Sequence, residues 1–583
     1  MINGHLGEKV VESNRRSTSH DCHHTPHCPQ PTVAHTAAHV YIRKMAGEGL
    51  SLRQGDEEMR KVHTIKDGGR WWGMRKKTVL VGVGLAVAVV AVIVVIIAIA
   101  EERKDSKDDV GGGGASAAGR DIAGEVTQSS LETFLDGLMK VAEQNPNAQG
   151  VPCRSVLYGY NDSAAYLMSA LGDGGFEEDA VSTIPVLAPV YVQKADPVLE
   201  LEVNGAPFPL IHKKDFARVR YSGGDGVVSL VSKDLVFVAG SGCNTTAGYP
   251  DAADSVVVVS ASGECDYATR VTAAEAAGAV GVLLVAPAGS TSLPGGRVRA
   301  SPWYRGSWLP SVPVVGISGT VREIMEANAG TAKVSITTDS EIVLAETFDV
   351  CAEVGPAAGV EPSGKTIMMG AHLDSVAEGP GMNDDGSGTA GVLEVALAYR
   401  RSREAFGSAH KARFCWWAAE ELGLIGSYQY VKYMQEEDPV EWDAVALYAN
   451  FDMLASPNYA LYIHQANDSI AQGAVLEASM EIQNVFISAM ESMGKPWAFS
   501  SMRAGSDFLP FLLGGVPTGG LLTGAGGIKS AEERTVFGGF ANAPYDPCYH
   551  QPCDTLENIA WDALVVNTKA AAMWLSYFVQ RDL

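Results

Sequence analysis

The sequence of 583 residues is short of positive charge and of histidine. Lysine and arginine together number 44, against 68 aspartate and glutamate residues, which gives a formal net charge of −24. Because binding to nucleic acid requires basic patches, this balance argues against a nucleic-acid partner. Histidine occurs only 13 times, and eight of these residues precede position 79. Few imidazole groups therefore remain for a metal site or for acid–base chemistry in the rest of the chain.

Charged residues are absent from one long segment, residues 79–100, whose 22 residues could cross a bilayer as a helix. Five basic residues lie between positions 66 and 77 and three between 103 and 107, which predicts a cytosolic N-terminus and a single-pass type II membrane protein. A start at Met74 would instead resemble a signal peptide cleaved near Ala100, giving a secreted protein. The anchor is favoured because the apolar run exceeds the roughly 7 to 15 residues of a signal peptide.

The segments on either side of this predicted transmembrane helix have the composition of unfolded chain. Residues 1–78 lack apolar periodicity and are predicted to be a disordered cytosolic tail, although the tract "HDCHHTPHCPQP" could bind a metal. Residues 101–124 contain "GGGGASAAG" and are predicted to be a flexible linker. The remaining residues are expected in the extracellular space or in a vacuole- or lysosome-like lumen, where sequons at Asn161, Asn244 and Asn467 predict a glycoprotein.

Residues 125–583 divide into two patterns of predicted secondary structure. Residues 201–340 hold short runs such as "SVVVVSASG" and "VGVLLVAP", which predict a separate small β-rich domain. Residues 125–200 contain two predicted helices, and from residue 341 onward predicted strands alternate with helices. Such alternation predicts an α/β fold with a mainly parallel sheet covered by helices, and ligand sites in that fold lie beyond the carboxyl ends of the strands.

Candidate metal ligands cluster at the ends of three predicted strands and in a glycine-rich loop. The segment "MMGAHLDSVAEGPGMNDDGSGTAG" places one histidine and three aspartates within residues 372–385. Unpaired carboxylates at that density repel one another, so either water solvates them or cations lie between them. The candidate residues are His372, Asp374, Asp384, Glu420, Glu421, Asp452 and His550.

Two divalent cations would balance these acids if each took one histidine and one carboxylate and a third carboxylate bridged both. Zinc is the metal that best suits imidazole combined with carboxylate. Two such cations polarise a substrate carbonyl and promote attack by water, as the hydrolysis of an amide requires. Because neighbouring residues leave a strand in different directions, one of Glu420 and Glu421 would bind metal and the other would serve as the general base.

Taken together, these motifs resemble the co-catalytic zinc aminopeptidases, a family of secreted and vacuolar metallo-exopeptidases. The resemblance rests on "GAHLDSVAEGPGMNDDGSGTAGVLE", "WAAEELGLIGS", "NFDM" and "YDPCYHQPCDT", and it extends over about residues 125–583. Within that range, "SGECDYATRVTAAEAAGAVGVLLV" resembles the protease-associated (PA) domain inserted in such peptidases. The resemblance implies a mixed, mainly parallel sheet sandwiched by helices, with the peptidase domain in residues 125–200 and 341–583 and the PA domain in residues 201–340.

The resemblance also assigns a role to each candidate residue. It implies that one zinc ion is bound by His372 and Asp452, the other by Glu421 and His550, and both by Asp384 as a bridge. It implies that Glu420 is the general base and that Asp374 orients the ring of His372. It also implies that Tyr549 stabilises the oxyanion of the tetrahedral intermediate. It further implies a cis peptide bond between Asp384 and Asp385, and the disulfides Cys243–Cys265 and Cys548–Cys553. Many relatives have arginine at the position of Gly505, whereas here the nearest arginine is Arg503.

The implied substrates are peptides with a free N-terminus, and three other functions stay open. A glutaminyl cyclase with one zinc ion and a carboxypeptidase belong to the same superfamily, and a receptor-like relative would have lost catalysis. A carboxypeptidase needs a fixed cation for the terminal carboxylate, and the nearest candidates are Arg503 and Lys529. A receptor-like relative is expected to lack a ligand, and none is missing here.

Overall fold

The computed structural model describes residues 121–583, apart from gaps at 224–225, 244–247, 250, 263–264, 288–292, 297, 299–309 and 503–504. The predicted tail, the predicted transmembrane helix and all but the last four residues of the predicted linker lie outside the described residues, as do Asn244 and Arg503. No helix in the described part of the chain is long and apolar enough to cross a bilayer.

The described chain begins with helices that pack on residues 341–583, which carry the predicted catalytic residues and are called the catalytic part below. A 3-10 helix (Ile122–Glu125) precedes helix α1 (Gln128–Gln144) and helix α2 (Tyr160–Asp173). The side chain of Thr127 accepts a hydrogen bond from the backbone N–H of Ser130 and so caps the start of α1. The buried residues of α1, which include Leu131, Leu135 and Leu138, recur every three or four positions, as the predicted amphipathic helix requires.

Two long antiparallel strands connect the two parts of the fold. Strand β1 (Val181–Val203) pairs with β8 (Lys333–Val354) over nearly their whole lengths, from Val181 opposite Ala352 to Glu202 opposite Lys333. On its other edge, β8 pairs at its start with β4 (Gly226–Phe237) and at its end with β10 (Lys411–Trp417). This two-stranded ribbon therefore belongs to the sheets of both parts.

The inserted domain is small and β-rich, as predicted. It contains β2 (Ala206–Phe208), β3 (Phe216–Arg218), β4, β5 (Val256–Ser260), α3 (Tyr267–Ala276), β6 (Gly281–Val285), β7 (Val314–Ile317) and α4 (Gly319–Ala327). Strands β4, β5, β6 and β7 are parallel neighbours in that order, and β3 pairs antiparallel with β7. The predicted disulfide between Cys243 and Cys265 is present.

The catalytic part has a mixed, mainly parallel sheet with flanking helices, which confirms this part of the predicted fold class. Its strands are β9 (Thr366–His372), β10, β11 (Val445–Phe451), β12 (Tyr462–Gln465), β13 (Ala498–Ser501) and β14 (Thr518–Leu522). The strand order is β13-β12-β14-β11-β9-β10-β8, and β14, β11, β9 and β10 are parallel neighbours. Its helices are α5 (Gly386–Phe406), α6 (Ile425–Glu437), α7 (Pro439–Ala444), α8 (Gly473–Ser492), α9 (Phe508–Leu513), α10 (Ala531–Phe537) and α11 (Trp561–Phe578).

The sheet buries apolar side chains on both faces, as a sheet covered by helices must. The adjacent residues Trp416 and Trp417 of β10 are both fully buried but belong to separate hydrophobic clusters, because side chains alternate across a strand. Cys351 of β8 lies directly opposite Cys415 of β10, and the two form a disulfide that the sequence did not predict.

Candidate active site

The ends of three parallel strands bring the predicted ligands to one edge of the sheet. His372 is the last residue of β9, Asp452 follows β11 directly, and Glu420 and Glu421 come three and four residues after β10. Asp384 lies in the loop of residues 373–385, which connects β9 to α5 and is called the β9–α5 loop below. The carboxyl ends of parallel strands meet at the same edge, so residues far apart in sequence become neighbours.

Three turns at this edge use a backbone conformation that side chains other than glycine rarely adopt. Ala419, Met453 and His550 have φ angles of 57°, 58° and 58°. His550 is a predicted ligand, Met453 follows the predicted ligand Asp452, and Ala419 precedes the predicted base Glu420. The chain therefore bends sharply where a carboxylate or an imidazole must turn toward the site.

The five predicted ligands form two groups that share Asp384. The first group is His372, Asp384 and Asp452, and the second is Asp384, Glu421 and His550. His372 Nε2 lies 3.2 Å from Asp384 Oδ1 and 3.7 Å from Asp452 Oδ1. His550 Nε2 lies 3.1 Å from Asp384 Oδ2 and 3.1 Å from Glu421 Oε2. The two oxygens of Asp384 therefore face two different histidines, as a bridging carboxylate would.

The donor atoms of these groups fit zinc. Asp384 Oδ2, Glu421 Oε1 and Asp452 Oδ1 are buried and make no hydrogen bond within the described structure. Buried carboxylate oxygens without a hydrogen bond are costly unless a cation binds them. Burial opposes protonation of His550, but the adjacent carboxylates of Asp384 and Glu421 outweigh it and raise the pKa of His550 to about 10. The acids thus favour positive charge at this position, and a divalent cation would displace such protons.

Asp374 orients the pair of glutamates more directly than it orients the histidine. Its carboxylate accepts the backbone N–H of Glu420 at 3.0 Å and that of Glu421 at 3.4 Å. The Nδ1 atom of His372 lies 3.0 Å from the backbone oxygen of Asp374 and 3.6 Å from its carboxylate. The predicted orientation of His372 therefore comes mainly from a backbone carbonyl, while the carboxylate fixes the turn that carries Glu420 and Glu421.

Glu420 is the fifth carboxylate of the site and belongs to neither ligand group. Burial raises the pKa of Glu420 well above its usual range and raises that of Glu421 to about 7.

Tyr549 stacks on the ring of His550, with the ring centroids 3.8 Å apart. The predicted disulfide Cys548–Cys553 encloses both residues, and the peptide bond between Asp384 and Asp385 is cis, as the resemblance implies.

Sequence reasoning missed several residues that support the predicted ligands. Asp385 caps α5 by accepting the N–H of Gly388, and it also accepts the N–H groups of His372 and Met453. Ser506 donates a hydrogen bond of 2.6 Å to Asp452 Oδ2. The cap could have been predicted, since aspartate is favoured just before a helix. Ser506 could not, because its contact depends on a segment 54 residues away in sequence.

With this geometry in place, comparison with known proteins defines the family. The family model described as "Peptidase family M28" matches residues 350–575. The probable lipoprotein aminopeptidase LpqL of Mycobacterium tuberculosis is 32% identical over 470 residues, which cover 79% of this chain and 86% of that relative. An aminopeptidase of Pseudomonas aeruginosa is 32% identical over 431 residues, which cover 72% of this chain and 76% of that relative.

The chain belongs to peptidase family M28. The PA domain model matches residues 231–323 of this peptidase, within the inserted β-rich domain. Its fold is similar to that of the aminopeptidase from Aneurinibacillus sp. strain AM-1, with a TM-score of 0.59 at 21% identity over 78% of this chain and 94% of that one. The predicted membership of a zinc aminopeptidase family with an inserted PA domain is therefore confirmed, and the protein is a zinc metallopeptidase.

Proposed function

We propose that this M28 peptidase is an aminopeptidase that binds two zinc ions and removes the N-terminal residue from peptides. The observation that carries the proposal is the pair of ligand groups that share Asp384 through different oxygens and lie beside a further acid, Glu420. One zinc ion would be held by His372, Asp452 and Asp384, and the other by Glu421, His550 and Asp384. When bound, two zinc ions supply Lewis acidity toward the substrate carbonyl and toward water.

The residues of the chain itself perform the proton transfers in this mechanism. Glu420 accepts a proton from the attacking water and passes it to the leaving amine, because its carboxylate is positioned at the site without being a ligand. Asp374 keeps Glu420 in place through the backbone N–H of that residue. The hydroxyl of Tyr549 stays protonated, since burial raises the pKa of Tyr549, and it donates a hydrogen bond to the oxyanion of the tetrahedral intermediate.

The charges of the site favour the amino end of a substrate. A free N-terminus is a cation at neutral pH, and the surrounding acids Glu420 and Asp452 attract it. A carboxypeptidase would need an available cation, and the side chain of Lys529 is already buried and bound to backbone oxygens of Tyr459 and Asn458, at 2.5 and 3.4 Å. Lys529 is therefore engaged in holding the chain and is a poor candidate for binding a terminal carboxylate.

A pair of matched peptides tests the proposed direction of cleavage. We expect a peptide with a free N-terminus to be shortened one residue at a time from that end, and its N-acetylated counterpart to resist, because acetylation removes the positive charge and adds bulk. Mass spectrometry of timed reactions measures both. Equal cleavage of the two peptides, or release of residues from the carboxyl end, would refute the aminopeptidase and leave the zinc hydrolase standing.

We also propose that residues 79–100 anchor the protein in a membrane, with the catalytic part in the extracellular space or in a vacuole- or lysosome-like lumen. Three disulfides in the described chain favour an oxidising compartment. Asn161 is exposed, so a glycan could be accommodated there. This location is tested by fractionating the membranes of cells that express the protein with or without residues 79–100 and then treating the protein with glycosidase. Full-length protein in the soluble cytosolic fraction without glycans would contradict it.

A further inference from the structure

Arg154 is a fully buried arginine whose side chain contacts one loop of the active site. It lies between α1 and α2, and each of its three guanidinium nitrogens donates to a backbone carbonyl of the β9–α5 loop. Nε donates to Pro380 O at 2.9 Å, Nη2 to Gly381 O at 2.5 Å, and Nη1 to Leu373 O. The backbone N–H of Arg154 also donates to Ser375 Oγ at 2.8 Å.

These contacts lie close in sequence to two predicted ligands, one just before the loop and one near its end. Leu373 directly follows His372, and Gly381 precedes Asp384 by three residues. A single planar guanidinium group therefore sets the distance between the two halves of the loop, which the point charge of a lysine could not do. The close fit extends to Gly381, where a Cβ atom would lie 2.3 Å from Asp384 O and 3.1 Å from Arg154 Nη2.

The carboxylate of Asp554 binds the same loop through two of the loop's backbone N–H groups. Asp554 accepts the backbone N–H of Asn383 at 2.9 Å and that of Asp384 at 3.1 Å. The carbonyl groups of residues 380–381 are thus held by a cation, and the amide groups of residues 383–384 by an anion.

The charge of Arg154 by itself would not favour zinc. Burial lowers the pKa of Arg154, and the nearby Asp374, Asp385, Asp554 and Asp384 oppose that change, so the arginine lies among acids of the metal site. A fixed positive charge there repels a divalent cation. A benefit from Arg154 must therefore come from the position that it gives to the loop.

We propose that Arg154 is a positioning residue that holds Asp384 where it can bridge both zinc ions. This inference rests on the proposed function, because it concerns the same two ligand groups. It assigns Arg154 no contact with substrate and no proton transfer. Loss of its three hydrogen bonds would let the loop move and would leave buried carbonyl groups without a donor.

The variants Arg154→Met and Arg154→Lys test this inference, with Arg413→Met as the matched control. Arg413 is also buried, but it donates to Glu353, Glu441 and Tyr430, and none of these contacts involves the β9–α5 loop. Zinc affinity is measured by chelator competition, Tm by calorimetry, and kcat and KM on the zinc-loaded, folded fraction. We expect Arg154→Met to weaken zinc binding by about 10- to 100-fold and to lower kcat with little change in KM.

The lysine variant keeps the charge and loses the planar geometry, so it should fall between wild type and Arg154→Met in zinc affinity. If Arg154→Met does not fold, the zinc affinity and kcat of the lysine variant test the positioning role instead. The control should lower Tm while zinc affinity and kcat stay at wild-type values. If the Arg154 variants lowered only Tm, as the control does, or if zinc affinity rose in Arg154→Met, the positioning role would be wrong. Wild-type zinc content and activity, measured alongside, report separately on the proposed function.

Discussion

At the scale of single residues, two adjacent glutamates have different surroundings. Glu421 Oε2 lies 3.1 Å from His550 Nε2, whereas Glu420 is in neither ligand group of the described structure. The carboxylate of Asp374 binds both backbone N–H groups and so fixes how the chain turns after β10. The proposed difference in role between the two glutamates follows from this turn, because consecutive side chains then point in different directions.

Exchanging each glutamate for glutamine separates the two roles. Glu420→Gln should keep both zinc ions and the Tm of the wild type but lower kcat by roughly 10² to 10⁴, the usual contribution of general acid–base catalysis. Glu421→Gln is the matched control and should lose zinc instead. Turnover by zinc-loaded Glu420→Gln at nearly the wild-type rate would show that the roles had been assigned wrongly.

The residues that the sequence could predict are those that stand at strand ends or in local motifs. His372, Glu420, Glu421 and Asp452 follow predicted strands, and parallel strands deliver their ends to one edge. Arg154 has no such marker, because its three partners are backbone carbonyls more than 200 residues away in sequence. Contacts of this kind depend on the folded path of a loop and leave no periodic pattern in the chain.

At the scale of elements, the start of α5 packs closely against the end of β11. A Cβ atom on Gly388 would lie 2.1 Å from the backbone oxygen of Phe451 and 2.5 Å from Asp385 Oδ1. Asp385 Oδ1 caps the helix and also accepts the N–H of Met453, next to the predicted ligand Asp452. The absence of a side chain at Gly388 therefore lets the helix approach the strand and share one carboxylate with it.

Alanine at two helical glycines tests this close approach. Gly388→Ala should lower the free energy of unfolding by about 1–3 kcal/mol, the usual cost of overpacking, and should also lower activity by displacing Asp385. Gly172 of α2 is exposed and a Cβ atom there would meet nothing within 4 Å, so Gly172→Ala should stabilise the protein by about 0.5–1 kcal/mol. Urea unfolding measures both changes. Equal effects of the two substitutions would contradict the packing described for α5.

At the scale of the whole molecule, the inserted domain and the catalytic part are joined through the ribbon of β1 and β8. The sequence did not predict this ribbon, and its prolines explain why. Pro185, Pro189 and Pro197 interrupt β1 and ordinarily argue against a strand. Proline cannot donate a backbone hydrogen bond to a neighbouring strand, so it is tolerated where one edge of a strand is unpaired. Strand β1 pairs with β8 along one edge, and along its other edge only residues 201–203 pair, with β2. The disulfide Cys351–Cys415 was missed for a related reason, since it depends on the register of β8 against β10.

The zinc content of the purified, metal-saturated protein shows whether the site binds two zinc ions. Two ligand groups that share Asp384 predict two zinc ions per chain, measured by mass spectrometry of the metal against protein concentration. Asp384→Asn should reduce the content of both sites, because each group uses one oxygen of Asp384. One zinc ion per wild-type chain, as a mononuclear glutaminyl cyclase would bind, would contradict the dinuclear aminopeptidase.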